Sequence, residues 1–239
     1  MTESLKGWRI LVVGGSGGIG SAISRALLDE GVAECVVAST SSPTISGVTA
    51  ELVDVTDLRS TQALAARVSS KQLNAVVNCA GVNGNSRLFA DDWDHHARRE
   101  MEVNYFGLLN LAAAFGPVLA RGGGRFVNVL SFLSHVNLPM MASYCASKAA
   151  AHSVLQALRA EWALVGVRVC GVYPTAVETR MTSGSSGPKQ SPRSLAQDVV
   201  QALVETPDAL YPGDAKGAFE SYLSDPVGLQ KAMATGPDA

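Results

Sequence analysis

The chain has 239 residues, 47% of them hydrophobic and 17% charged, with a formal net charge of −2. That length fits one large α/β domain with a substantial core, and the absence of any basic run excludes the electrostatic footprint of a nucleic-acid or anionic-membrane binder. The polar N-terminus leads into only a short apolar run, so neither a signal peptide nor a membrane span is expected. Cys35, Cys79, Cys145 and Cys170 form no C-x-x-C pair, so they read as core residues of a reducing, cytoplasmic protein with no metal site.

In chain order, a strand is expected over 9–13 and a helix over 18–30, joined by Gly14-Gly15-Ser16-Gly17-Gly18-Ile19-Gly20. Glycines there let the backbone turn sharply. They also let a pyrophosphate approach the helix N-terminus, whose free N–H groups and dipole stabilise its charge. The spacing Gly-x-x-x-Gly-x-Gly differs from the common Gly-x-Gly-x-x-Gly, but its place between a first strand and a first helix marks a nucleotide site. A second strand over 35–38 runs into Ala38-Ser39-Thr40-Ser41-Ser42. An acid at that point normally grips the adenine ribose of NAD. Its absence, with hydroxyls available to a 2′-phosphate, favours NADP(H); no Arg or Lys follows, so NAD(H) remains possible.

Strands follow over 50–53 and 74–78, with a helix over 57–69 between them. A long helix is expected over 93–119, a break at 122–124, a strand over 125–130, an Ala-rich helix over 141–165 and a strand over 167–173. A Gly/Ser/Pro-rich stretch over 182–192 reads as a mobile substrate loop around 180–195 within one domain spanning 1–239. A helix over 193–204 and a short Ala-Leu-Tyr run come next, and the polar tail after Pro226 is expected to fray. The strands are continuous apolar runs, as when both sheet faces are covered. Their alternation with helices predicts a Rossmann-like, doubly wound parallel sheet in an α/β/α sandwich.

Tyr144 and Lys148 stand four apart in Ser-Tyr-Cys-Ala-Ser-Lys, with Ser131 thirteen residues upstream of Tyr144 at the end of an apolar run. Positions i and i+4 share a helix face. An ammonium beside a phenol favours the phenolate, so Tyr144 is expected to titrate below its usual value of about 10 and to exchange a proton near neutral pH. Ser131 could hold a substrate oxygen against it. Phe132, Leu133, His135, Met140 and Met141 lie between Ser131 and Tyr144 and are expected to face a mainly apolar substrate. His135 is also a candidate acid or base, although a loop histidine is more often a packing residue. His95 and His96 lie in an acidic, exposed stretch without a spacing partner, so no metal is expected there.

With these pieces the chain resembles the short-chain dehydrogenase/reductase family over roughly residues 5–212. The family's Thr-Gly-x-x-x-Gly-x-Gly is matched by Gly14, Gly18 and Gly20, with Val13 replacing the threonine. Its acid after the third strand is matched by Asp54, followed by Val55. Its Asn-Asn-Ala-Gly is matched by Asn78-Cys79-Ala80-Gly81, and its helix asparagine by Asn104. Its serine is matched by Ser131, and its Tyr-Lys pair by Tyr144 and Lys148. Its Pro-Gly segment is matched by Pro174-Thr175-Ala176-Val177-Glu178-Thr179, with Thr175 replacing the glycine.

The resemblance implies hydride transfer between a nicotinamide and a carbonyl or alcohol carbon. Tyr144 would be the general acid or base. Lys148 would lower the Tyr144 pKa and bond the nicotinamide ribose, Ser131 would hold the substrate oxygen, and Asn104 would place a water that passes protons to Lys148. Gly14, Ser16, Gly18, Ile19, Gly20, Ser39, Thr40, Asp54, Val55, Asn78, Ala80, Gly81, Pro174, Val177 and Thr179 would line the cofactor, with Asp54 at adenine and Val177 and Thr179 at the carboxamide. For Asn104 a buried amide at a helix kink, and for Thr179 a helix N-cap, are the alternative structural roles. The family also implies a homotetramer, or else a dimer, built on the 93–119 and 141–165 helices. A non-catalytic NAD(P)-binding regulator on the same fold is the rival reading, and its discriminator is loss of the Tyr or Lys, both of which are present here. A lyase or dehalogenase variant would lack the glycine loop.

Overall fold

The computed structural model describes residues 4–235. Seven strands, all parallel, form one sheet in the order β3-β2-β1-β4-β5-β6-β7. They are β1 (Arg9–Val13), β2 (Glu34–Ser39), β3 (Thr49–Leu52), β4 (Ala75–Asn78), β5 (Arg125–Val129), β6 (Arg168–Val172) and β7 (Ala209–Leu210). The helices are α1 (Gly18–Asp29), α2 (Leu58–Val68), α3 (Trp93–Glu100), α4 (Gly107–Ala120), α5 (Ala142–Ala163), α6 (Pro192–Glu205), α7 (Ala215–Ser224) and α8 (Pro226–Ala234).

Successive side chains of a strand point to opposite faces, and here both faces are buried. Ile10 and Val12 of β1 join Ile23, Leu27, Leu195 and Val199 in the core under α1 and α6. Leu11 and Val13 join Leu64, Leu108, Phe115 and Leu155 in the core under α2, α4 and α5. This two-sided burial is the physical reason for the continuous apolar runs. The chain winds from β1 outward to β3, then returns to place β4 on the other side of β1. The crevice at the carboxyl ends of β1 and β4 is therefore the topological switch point, where open α/β sheets bind ligands.

The helix expected over 93–119 is interrupted by a π-helical segment, Met101–Phe106. The wider turn has tertiary causes. The Asn104 amide is held by the backbone of Val82, and Gly107 backs so closely on Val55 that a Cβ there would lie 2.8 Å from its Cγ2. By length and composition the stretch Trp93–Ala120 could cross a membrane, but Leu108, Leu111, Phe115 and Leu119 are fully buried against the sheet.

The tail also departs from expectation. Residues after Pro226 form α8, because the Asp225 side chain caps it by accepting from Gly228 N at 2.9 Å, with Pro226 in the first turn; Pro is favoured there because its missing N–H would have no helical partner. The end of that tail, 236–239, lies outside the described residues. The Gly/Ser/Pro-rich stretch is fastened at both ends. A 3₁₀ turn, Arg180–Thr182, opens it, and Gln190 pairs with the 176–178 backbone through Glu178 N to Gln190 O and Gln190 N to Ala176 O, each 2.9 Å.

Candidate active site

Gly14 leaves β1 with φ +78°, the left-handed region that glycine adopts without steric cost. Close approach imposes a second demand. A Cβ on Gly14 would sit 2.6 Å from Ala80 N, and one on Gly20 would sit 2.5 Å from Gly14 O. The start of α1 has no side-chain cap, so its first N–H groups point from a side-chain-free surface, as an anion site requires. Ser16 is exposed and Ile19 half-buried on this turn. Thr179 stands over it, with Cγ2 2.9 Å from where a Cβ on Gly18 would lie. Thr179 also caps the turn that follows it, in a reciprocal arrangement with Thr182.

The rest of the proposed cofactor set lines the same crevice edge. Ser39 is buried and donates to Ser41 O at 2.6 Å, while Thr40 is exposed. Asp54 is exposed and its Oδ1 accepts from Thr56 N and Oγ1, at 2.9 and 2.7 Å. Val55 is buried, and its carbonyl accepts from Asn110 of α4 at 2.9 Å. Asn78 shapes the backbone around it. Its Nδ2 donates to Asn128 Oδ1 at 2.7 Å and its Oδ1 accepts from Ala80 N at 3.0 Å, so it sets the turn that leads to Gly81. Pro174 O accepts from Phe132 N at 2.8 Å. Thr175, in the family's glycine position, is not among the described residues with positive φ, so its side chain is accommodated without strain.

Tyr144 and Lys148 lie on the buried stripe of α5 that continues through Ala151 and Leu155. Lys148 is 5% exposed; its Nζ donates to Val129 O at 3.1 Å and lies 5.8 Å from the Tyr144 ring centroid. Burial lowers the Lys148 pKa to about 8. Burial pushes the Tyr144 phenol the other way, above its ordinary value, opposed by a hydrogen bond with Ser131. The downward shift expected from the Tyr-x-x-x-Lys spacing is thus reversed: desolvation of the phenolate outweighs the cation, which lies beside the ring. Ser131 caps a short 3₁₀ turn, its Oγ accepting from Leu133 N at 3.1 Å. That turn fixes its hydroxyl toward Tyr144.

Asn104 is 4% exposed. Its Oδ1 accepts from Val82 N, and its Nδ2 donates to Val82 O and to Ser147 Oγ, each at 2.9 Å. It is the buried amide at a helix irregularity, and it stands close to Lys148: a Cβ on Gly81 would lie 3.2 Å from Asn104 Oδ1 and 3.3 Å from Lys148 Nζ. Ser147, which sequence reasoning missed, is fully buried and donates to Tyr144 O at 2.7 Å. Its place three residues after Tyr144 was the available signal, since i and i+3 share a face.

The pocket residues separate. Leu133, Met140 and Met141 are all half-buried between Ser131 and Tyr144, and Met141 Sδ accepts from Asn83 Nδ2 at 3.2 Å. His135 is instead drawn into an aromatic cluster. Its ring stacks on Tyr173, with centroids 5.1 Å apart, and packs against Tyr211, Phe219 and Tyr222. Its Nε2 lies 3.1 Å from the Tyr211 hydroxyl. Burial, then His152, lowers its pKa to about 4, which suits a neutral packing residue. His96 also differs from expectation, because its Nε2 meets Asp92 Oδ2 at 2.9 Å, one helical turn back.

A nucleotide cradle and an acid–base cluster that meet at a switch point mark a dinucleotide-dependent oxidoreductase fold. The family model described as short chain dehydrogenase matches residues 9–189, and the chain belongs to that family. Among its relatives, D-threitol dehydrogenase of Mycolicibacterium smegmatis is 31% identical, the match covering 98% of this chain and 91% of that protein. The 2-(S)-hydroxypropyl-CoM dehydrogenase 3 of Xanthobacter autotrophicus is 32% identical over 99% and 95%. The chain spans only about a third of probable oxidoreductase EphD of Mycobacterium tuberculosis, 33% identical over 196 residues. A short chain dehydrogenase from Burkholderia cenocepacia, solved in complex with NADP, superposes with a TM-score of 0.90 at 34% identity, covering 98% of this chain and all of that one.

Proposed function

We propose that this protein is an NADP(H)-preferring oxidoreductase acting on a mainly apolar ketone, aldehyde or secondary alcohol. One observation carries the reading: Tyr144 is buried, hydrogen-bonded to Ser131 and beside Lys148, and Lys148 and Asn104 border Gly81, next in the chain to the Ala80 backbone against which Gly14 of the glycine turn is packed. The cradle fits a dinucleotide: Gly14, Ser16, Gly18, Ile19 and Gly20 would hold the pyrophosphate, Ser39 and Thr40 the adenine ribose and its phosphate, and Val177 and Thr179 the nicotinamide end. NADP(H) bound there supplies or accepts the hydride. Ser131 donates to the substrate oxygen. Tyr144 keeps its proton at neutral pH because burial disfavours the phenolate, and it hands that proton to the oxygen during reduction. Lys148, still largely charged at pH 7, binds the nicotinamide ribose and stabilises the phenolate left behind. Leu133, Met140 and Met141 give the substrate side its apolar character.

The hydroxyl-lined turn after β2, without an acid, supports the NADP(H) preference, as does the NADP bound to the Burkholderia protein. Exposed Phe106, Leu164 and Val165 at the ends of the α4 and α5 region support assembly as a homotetramer. The four free cysteines support a cytoplasmic site. The test is titration with NADPH and NADH by cofactor fluorescence, then a carbonyl panel scored by NADPH loss, with Tyr144→Phe alongside. NADPH should bind at least tenfold tighter than NADH, and Tyr144→Phe should abolish turnover while retaining NADPH binding. A panel without turnover, or full activity in Tyr144→Phe, defeats the reading; light scattering at a monomer mass defeats the tetramer.

A further inference from the structure

Asp92, His96, Glu100 and Asn104 recur at four-residue spacing along α3 and the π segment, which places them along one helical face. Exposure falls steadily inward: the side chains of Asp92 and His96 are 66% and 25% exposed, and Glu100 is 1% exposed. Asp92 Oδ2 meets His96 Nε2 at 2.9 Å. The other nitrogen, Nδ1, lies 2.2 Å from where a Cβ on Gly84 would stand, so the ring lies flush against that glycine. Gly84 N–H donates to Glu100 Oε1 at 2.8 Å. One turn on, Asn104 grips Val82 and reaches the space over Gly81 that Lys148 Nζ also borders. The row therefore follows the backbone of residues 81–84 from solvent to Lys148.

Glu100 carries the unexplained feature. Holding Gly84 needs only Oε1. Oε2 is buried and has no hydrogen-bond partner among the described residues, so one desolvated acceptor is left unmet. Tyr144 and Cys145 of α5 are close enough for this carboxyl group to act on them electrostatically, and His95 sets its ring edge on His96. A buried acceptor one helical turn inward from a half-buried imidazole and one turn before Asn104, which borders Gly81 together with Lys148 Nζ, has the position of a proton-relay group.

We propose that His96 and Glu100 form a proton path that joins solvent at Asp92 to Lys148 and Tyr144, with water bridging neighbouring groups. The path rests on the oxidoreductase reading. In reduction, one hydride passes from NADPH to the carbonyl carbon and one proton passes from Tyr144 to the oxygen. The phenolate is then reprotonated by one proton drawn from solvent through His96, Glu100 and Lys148, so that carbonyl, NADPH and H⁺ give alcohol and NADP⁺. His96 and Glu100 touch no reacting atom; they act through Lys148.

The experiment uses the full chain with NADPH and the best carbonyl from the panel. His96→Ala and Glu100→Gln should each lower kcat on the order of tenfold, short of the full worth of a general acid. KM for the carbonyl should stay unchanged, as should the NADPH dissociation constant measured by fluorescence. The solvent deuterium isotope effect on kcat should rise in both. Added imidazole should restore His96→Ala in proportion to its concentration and leave Glu100→Gln slow, a response that a merely structural role does not give. Unchanged kcat and isotope effect in both variants would overturn the path while leaving the enzyme reading intact. A tenfold loss of NADPH affinity, or a raised KM at unchanged kcat, would also overturn it by assigning Glu100 to the shape of the cleft or to substrate recognition. An unaltered protein that binds NADPH yet reduces no carbonyl would defeat the oxidoreductase reading itself, and the path with it.

Discussion

Gly14→Ala tests the physical basis of the cradle. Two costs are superposed at this position. An L-residue held at φ +78° carries roughly 1–2 kcal/mol of left-handed strain. The new Cβ would also lie 2.6 Å from Ala80 N, 2.8 Å from Cys79 C and 2.9 Å from Ala80 Cα. All three are backbone atoms of the segment leaving β4, so relief requires the β1–β4 crevice to open, at roughly 1–3 kcal/mol for overpacking. Gly7 provides the control, with φ +85° and open space around the same atom. Gly7→Ala meets the dihedral strain without the clash, and both variants share the same entropic gain in the unfolded chain. Gly14→Ala is therefore expected to cost about 3 kcal/mol and Gly7→Ala about 1 kcal/mol, or roughly 6–12 °C against 2–4 °C in melting temperature for a domain of this size. Urea unfolding at constant m-value measures the difference, and NADPH fluorescence titration should show affinity lost only in Gly14→Ala. Equal destabilisation of the two variants would refute the close-approach argument.

Lys148 is held near a pKa of about 8, against about 10.4 in an unfolded chain. Between those values the unfolded state binds more protons, so stability rises with pH across that window and the penalty is fully present below it. Lys148→Met should exceed the native protein by an amount of order 3 kcal/mol at pH 7, and the gap should close by about pH 10; a constant gap in urea midpoints from pH 7 to 10 would contradict this. His135, lowered to about 4, should destabilise the fold as pH falls from 6.5 toward 4, because the unfolded state protonates first. In His135→Phe that acid-side loss should shrink, as followed by thermal melts. Thr206 ends α6 at φ 54°, a left-handed position where glycine is favoured. Thr206→Gly should raise the melting temperature by about 2–4 °C, despite losing the 2.8 Å bond from Arg168 to its hydroxyl, and a fall would show that the bond outweighs the strain.

The strands and the order of the motifs were legible because buried parallel strands write themselves as apolar runs, and because glycine is required where backbones touch. The π segment was not legible. Met101–Phe106 has the composition of the helix around it, and the cause of the wider turn lies in Val82 and Val55, distant in sequence. The surroundings of His135 were not legible for the same reason: Tyr173, Tyr211, Phe219 and Tyr222 enclose it from later elements, and no local period reports them. The Tyr144 shift was misjudged because spacing reveals the neighbouring ammonium but not the loss of water around the phenol. By contrast, α8 was readable, since Asp225-Pro226 is an N-cap followed by proline at the first helical position, and the polar composition of the tail obscured it. The partner of His96 was likewise readable at four residues' distance.

The pairing of β5 with β6 does not stop at the strand ends. Leu130 N reaches Val172 O at 2.7 Å and Phe132 N reaches Pro174 O at 2.8 Å. Ser131 and the 174–179 segment therefore share one rail. Gln190 clips back onto that rail at Ala176 and Glu178. The residues between Thr182 and Gln190 thus form a cassette with two fixed clasps. Its length and side chains can be exchanged while Ser131, Tyr144 and Thr179 keep their register, so that this segment can vary independently of the groups proposed to do the chemistry.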